Sequence, residues 1–442
     1  MRHIYGDFAY GDVPRAKCWW DQTCDAVERP ALDGDQTCDV AIIGGGFTGL
    51  SAALHLAQAG VKVTVLESRY VGWGASGRNG GFCCLGGGRL GDQTLDRKFG
   101  RADRLVFRKA ELAAVNLVDT LTKRHNIEID RHSEGETELA HRPKDMGVLR
   151  GRVQQIKENY GLDAKLIEKD ALAEHGLNGD FYGALTIPAG FALNPRKYVT
   201  GLADAAEKAG VLIYHDSTAQ KISKTPNGHH IHLLNGSLSA EKLLIATNGY
   251  SSEDLSDWVG GRYMPAQSSV IVTRPLTDDE IDAAGWFSDQ MVYDTRNLLH
   301  YFRLMPDRRM LFGMRGGLLT GSTAEKRAIS NVRRDFEAFF PAWKHVETPF
   351  GWSGMVCIAR NQMPFVGPVP NEKGTFASLC YHGNGVAMGT YCGALAASVI
   401  LAKIDGEPYS ASMKMPLSRF ELGRFRRTLL PLAYLGYGLT DR

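Results

Sequence analysis

Residues 38–67, CDVAIIGGGFTGLSAALHLAQAGVKVTVLE, decide the fold. Val40–Ile43 is an unbroken apolar run of the kind found in a parallel strand buried on both faces. Gly44, Gly46 and Gly49 follow in G-x-G-x-x-G spacing, Leu50–Ala59 continues as a helix to Gly60, and a second apolar run ends at Glu67. In that order the first glycine permits a tight turn, the second lets the backbone approach a pyrophosphate, and the third lets helix pack on strand. Phosphates then sit at the helix N-terminus, beside the free N–H groups of Phe47 and Thr48, where the dipole favours negative charge. Glu67, followed by Ser68, is placed to accept from an adenosine ribose hydroxyl. Arg69 leaves a 2′-phosphate open as the alternative, beside the reading of a solvated surface charge.

The rest of the chain narrows the class. At 442 residues it is long enough for two domains. Lys and Arg number 51 against 49 Asp and Glu, so no basic stripe invites nucleic acid. The longest apolar stretch, GALAASVILA (393–402), is too short to span a bilayer, and MRHIYGDFAYGDVPRAKCWW lacks the apolar core of a secretory signal. Eight cysteines, with Cys83 and Cys84 adjacent, form neither a disulfide framework nor a metal spacing, so the expectation is a soluble, cytoplasmic protein with reduced thiols and no metal.

Residues 1–37 read as an N-terminal arm packed on the surface through Trp19 and Trp20. Helical periodicity covers 101–126, 143–161, 194–210 and 386–406. A short strand is expected in SEGETELAHR (133–142), hairpin turns at Asn227-Gly228 and Asn235-Gly236, and a further hairpin over 300–317 turning at Pro306-Asp307.

Downstream of the glycine turn, YVGWGASGRNGGF (70–82) can lie against a large flat ring and present backbone N–H groups to it. This segment resembles the FAD-dependent D-amino acid oxidase (DAO) family, and GASGRNGG is most similar to its γ-glutamylputrescine oxidase branch. IATNGY (245–250), WSGMVCIARNQMPFVGP (352–368) and YHGNGVAMG (381–389) carry the resemblance through to the final helix.

The resemblance implies an α/β protein: a Rossmann-like FAD-binding domain from 38–100, 194–260 and 350–410, and a discontinuous, mixed-sheet substrate domain from 101–193 and 261–349, with a tail over 411–442. It implies non-covalent FAD, held by Gly44, Gly46, Phe47, Thr48, Gly49, Glu67 and Ser68, by Gly74, Ala75, Ser76, Arg78, Asn79, Gly80 and Gly81, by Thr247, Asn248 and Gly249, by Trp352, and by Gly383, Asn384, Gly385 and Val386. The implied reaction is oxidation of a C–N bond in a small amine or amino acid by hydride transfer, with hydrolysis of the imine.

His382 either polarises the flavin, takes a proton from the amine, or is a structural hydrogen-bonder. Arg303 either clamps a substrate carboxylate beside Tyr301 or forms an inter-strand ion pair, and Trp352 either stacks on the ring or fills core. Cys357 lies near the position where sarcosine oxidases attach FAD but out of register with it. GRYMPAQSSVIVTR (261–274) lacks the lysine that helps those relatives activate oxygen, so the acceptor is O2 or a quinone or electron carrier. A flavin-holding subunit of a heteromeric complex, and a nicotinamide-dependent dehydrogenase, are the competing expectations.

Overall fold

The computed structural model describes residues 2–317 and 319–441. Among them, strand Gly34–Ile43 occupies the middle of an eight-stranded sheet whose main path runs Phe365–Pro368, Thr375–Leu379, Gly236–Ile245, Gly34–Ile43, Val63–Leu66, Leu212–Tyr214, with Gly228–His232 branching from Gly236–Ile245 and Lys221–Thr225 pairing beyond it. The pairings from Thr375–Leu379 to Leu212–Tyr214 are parallel, and Ile43 lies opposite both Ile245 and Leu66. Helices Phe47–Gln58, Arg101–Arg124, Pro195–Lys208 and Ala387–Leu401 share one apolar cluster that includes Leu50, Phe107, Leu202 and Leu395. Ala387–Leu401 is apolar on all sides because it is enclosed on all sides.

A second sheet runs Phe350–Ala359, Tyr263–Val272, Met310–Arg315, His300–Leu304, Met291–Asp294, Glu136–Leu139, Gly183–Ile187, Lys165–Glu168. Its pairings are antiparallel except that of Glu136–Leu139 with Met291–Asp294. Side chains alternate across such strands. One face carries Val292, Phe302 and Phe312 against Val332 and Phe336 of helix Ser322–Phe339. The opposite face carries Tyr293, Tyr301, Arg315 and Ser268 and walls a cavity shared with the first sheet.

Three segments settle differently from the expected division. Helix Arg101–Arg124 packs Phe107, Ala110, Ala114 and Val118 into the core of the first sheet rather than standing with the second. Strand Phe350–Ala359 belongs to the second sheet, its Trp352 opposite Val270. The N-terminal arm is no surface strap: Trp20 is buried with Val270, Val272 and Trp352, and His3 and Tyr10 reach the cavity wall. All eight cysteines are free, and no His, Cys, Asp and Glu cluster able to hold a metal occurs among the described residues.

Candidate active site

The cavity, about 660 Å³, begins at the glycine turn. Gly44 has φ +112°, and a Cβ there would stand 2.8 Å from the Ala246 carbonyl oxygen. A Cβ on Gly49 would stand 1.9 Å from the Gly44 carbonyl oxygen, so Gly49 brings helix onto strand and does not itself line the cavity. Helix Phe47–Gln58 starts behind Gly46 with no side-chain cap inside its own turn. The Phe47 N–H donates instead to Ser76 Oγ at 3.0 Å, and a Cβ on Gly46 would crowd that hydroxyl at 2.8 Å. Glu67 is already braced: Oε2 accepts from the Gly45 N–H at 2.8 Å, and Oε1 from the Arg69 N–H at 3.1 Å and Ser68 Oγ at 3.2 Å. Burial pushes its carboxyl pKa up, against the pull of those donors. The cradle of backbone N–H groups, the carboxylate beyond it and the absence of Cβ atoms fit a dinucleotide.

The glycine segment is fixed from two sides. From the arm, buried Arg15 donates to the carbonyls of Gly72, Trp73 and Gly77 at 3.1, 3.0 and 3.3 Å, and Asp12 accepts from the Trp73 indole at 2.7 Å. Trp20 donates to the Asn79 carbonyl and Trp352 to the Arg78 carbonyl, each at 2.8 Å. Arg78 stacks over Trp73 at 4.4 Å, and its Nη2 has no partner among the described residues. Gly74, Ala75, Ser76, Arg78, Asn79 and Gly80 line the cavity, as do Thr247, Asn248, Gly383, Asn384, Gly385 and Val386. Gly81, Gly249 and Trp352, expected there, do not. Gly81 packs against the Leu193 carbonyl, Gly249 against Met355, and Trp352 is enclosed behind the wall.

At the far end, His382 adopts φ +53° and leaves both ring nitrogens without a partner among the described residues. Burial, then the Arg89 and Arg315 guanidinium groups, depress it to about 3, so the ring is neutral at physiological pH. Arg315 Nη2 donates to the His382 carbonyl at 3.3 Å. Tyr301 lines the cavity with its ring over Gly313, its hydroxyl 2.9 Å from Ser268 Oγ.

Arg303, read as a carboxylate clamp, is not on the cavity wall. It is fully buried, with Nη1 on His132 Nε2 and Nη2 donating to the Leu193 carbonyl, both at 2.8 Å, beneath Trp20. The arginine of this hairpin that reaches the cavity is Arg315, which the register marks: Tyr301 pairs with Gly313, and Arg315 is the next residue on that face. Glu136 and Tyr293 also line it and were passed over; the alternation in Glu136–Leu139 puts Glu136 and Glu138 on one face. Cys357 reaches the wall, its Sγ 3.5 Å from that of Cys380.

A family model described as FAD dependent oxidoreductase (DAO) matches residues 39–399. The chain is 33% identical over 433 residues to a probable oxidoreductase, OrdL, of Rhizobium meliloti (strain 1021), covering 96% of this chain and 97% of the relative. It is 29% identical over 414 residues to the gamma-glutamylputrescine oxidoreductase of Escherichia coli (strain K12), covering 93% and 94%. Among solved structures, glycine oxidase from Geobacillus kaustophilus superposes with a TM-score of 0.69 at 20% identity, covering 86% of this chain and 100% of that one, a likeness of fold.

Proposed function

Because the chain belongs to the FAD dependent oxidoreductase (DAO) family, FAD enzymes that act on amines and amino acids, we propose that it oxidises the terminal C–N bond of a γ-glutamylputrescine-like amine. The observation that carries this reading is a single cavity joining the glycine cradle to a wall of polar side chains from the second sheet. Bound FAD supplies the acceptor for the hydride that leaves the carbon next to nitrogen, and water then hydrolyses the imine.

The chain's own residues do the rest. Glu67 holds the adenosine ribose, Gly44–Thr48 the phosphates, and the 74–80 and 383–386 segments the ring. Arg315 takes a substrate carboxylate, for which its planar fork is suited. His382, neutral and with free ring nitrogens, accepts or donates a hydrogen bond without adding charge. Tyr301, its hydroxyl fixed by Ser268 and its ring against Gly80 and Phe82, walls the substrate beside the end of the glycine segment.

No lysine stands among the described lining residues; the cations are Arg69, Arg78, Arg89 and Arg315. That supports a quinone or carrier as acceptor over O2. Anaerobic mixing with γ-glutamylputrescine is expected to bleach the flavin absorbance at about 450 nm. If γ-glutamyl amines, simple amines and amino acids all leave it unchanged, the reading falls.

A further inference from the structure

The cavity wall carries a buried carboxyl group, Glu136, and, among its arginines, a half-buried guanidinium, Arg315, that are not each other's partner. Glu136 is 3% exposed; its Oε1 accepts from the Leu85 N–H at 3.1 Å, and Tyr293, on the neighbouring strand, lines the same cavity. Arg152, whose charge acts on Glu136, is engaged by Glu138, and Glu111 is held by Arg108 and Tyr160 at 2.7 Å each. Glu136 forms no ion pair among the described residues. Arg315 is likewise without a carboxylate partner among them; around it stand Arg89, Tyr301, Cys84 and Tyr434.

Both groups line the same cavity, with Cys84 feeling the charge of each. Their strands, Glu136–Leu139 and Met310–Arg315, are separated in the sheet by Met291–Asp294 and His300–Leu304. Three strand spacings put them roughly 14 Å apart across the sheet. An isolated buried charge is costly unless it is paired. Neither can serve the other at that span, and the short dipole of glycine cannot meet both.

We propose that Glu136, assisted by the Tyr293 hydroxyl, is a recognition site for a cationic nitrogen of the substrate, so that the cavity selects a flexible chain with an ammonium at one end and a carboxylate at the other. This rests on the amine-oxidising reading and adds the substrate's charge pattern to it. A glutamyl-extended diamine has that pattern. The Leu85 N–H fixes one oxygen of the carboxylate, leaving its remaining lone pairs to the ligand.

Binding is measured by perturbation of the flavin spectrum of the FAD-loaded protein, using 6-aminohexanoate and hexanoate as non-substrate probes. The wild type is expected to bind 6-aminohexanoate at least about tenfold more tightly than hexanoate, in line with a charge-assisted hydrogen bond. Glu136→Gln is expected to remove that preference while leaving hexanoate within about twofold, and Tyr293→Phe to reduce it about threefold. Equal binding of both probes by the wild type overturns the proposal without any variant. So does a Glu136→Gln protein that retains the preference or weakens both probes alike. The two readings separate cleanly: a preference abolished by Glu136→Gln in a protein that no amine bleaches sinks amine oxidation and keeps this site. Bleaching by γ-glutamylputrescine without the preference does the reverse.

Discussion

Trp20 and Trp352 meet edge-on at 6.3 Å and donate their indole N–H groups to consecutive carbonyls of the glycine segment, those of Asn79 and Arg78. One comes from the arm and the other from the second sheet, so two distant stretches of chain fix one turn of backbone against the cavity. Trp20→Phe keeps most of the packing and orphans the Asn79 carbonyl, which costs about 1–3 kcal/mol. A lower melting temperature and faster loss of FAD are expected. Unchanged thermal unfolding of the holoprotein would show that the contact contributes nothing.

The nucleotide end separates binding from chemistry. Gly46→Val sets a branched side chain against Ser76 and is expected to expel FAD while much of the fold survives. Glu67→Ala is expected to weaken FAD by about 1–3 kcal/mol without changing which amine is preferred. Flavin fluorescence during titration of the apoprotein measures both, and a shift in amine preference with Glu67→Ala contradicts the assignment.

The two arginines of one hairpin are expected to behave differently. Arg303→Met leaves His132 and the Leu193 carbonyl without their partner, so the loss appears in thermal stability, about 1–3 kcal/mol. Arg315→Met is expected to raise KM for carboxylate-bearing substrates and spare simple amines. Steady-state kinetics on both substrate types decides it: a KM effect confined to Arg303→Met would reverse the roles.

Acid is expected to destabilise the apoprotein through its histidines. Burial and the Arg89 and Arg315 charges hold His382 at about 3, and burial and Arg303 hold His132 at about 3. Unfolding restores an ordinary pKa of about 6.5, so below that pH the unfolded state binds more protons and stability falls as pH drops from about 6.5 toward 3. Glu136, raised to about 7 by burial, has the opposite sign: its contribution is present at low pH and is lost as pH rises from about 4.5 through 7. Glu136→Gln therefore steepens the acid-side decline in melting temperature between pH 4.5 and 7. A parallel profile for variant and wild type contradicts the Glu136 assignment.

The sheet frameworks were legible wherever short-range pattern dictates structure. Asn227-Gly228 and Asn235-Gly236 turn between Lys221–Thr225, Gly228–His232 and Gly236–Ile245, and Pro306-Asp307 joins His300–Leu304 to Met310–Arg315. Period-two alternation also put Tyr301 and Arg303 on one face, which is where they lie. Which of them meets the cavity depends on what covers that face, and the cover over Arg303 is Trp20, from an arm of short turns whose position no periodicity encodes. Glu136 escaped notice for a related reason: an acid in a strand reads as solvent-facing until the opposing layer is known. The glycine cradle needed less such knowledge: the contacts that demand Gly49 arise within one strand, its turn and its helix, and the turn itself holds Gly44 at φ +112°, although the carbonyl that crowds Gly44 is that of distant Ala246.

The central strand Gly34–Ile43 pairs on one side with Val63–Leu66 and on the other with Gly236–Ile245. During synthesis the first neighbour is at hand almost at once, while the second emerges roughly 200 residues later, and Trp352 and the 383–386 turn later still. For nearly half of its synthesis the nascent chain thus has one edge of this strand without its native partner, and for longer still a glycine turn with no wall to face. The cavity is complete only when segments from residue 43 to residue 386 are all in place, so FAD capture is expected late in the folding of this chain, with cofactor supply bearing on the yield of native protein rather than on how quickly its first sheet begins.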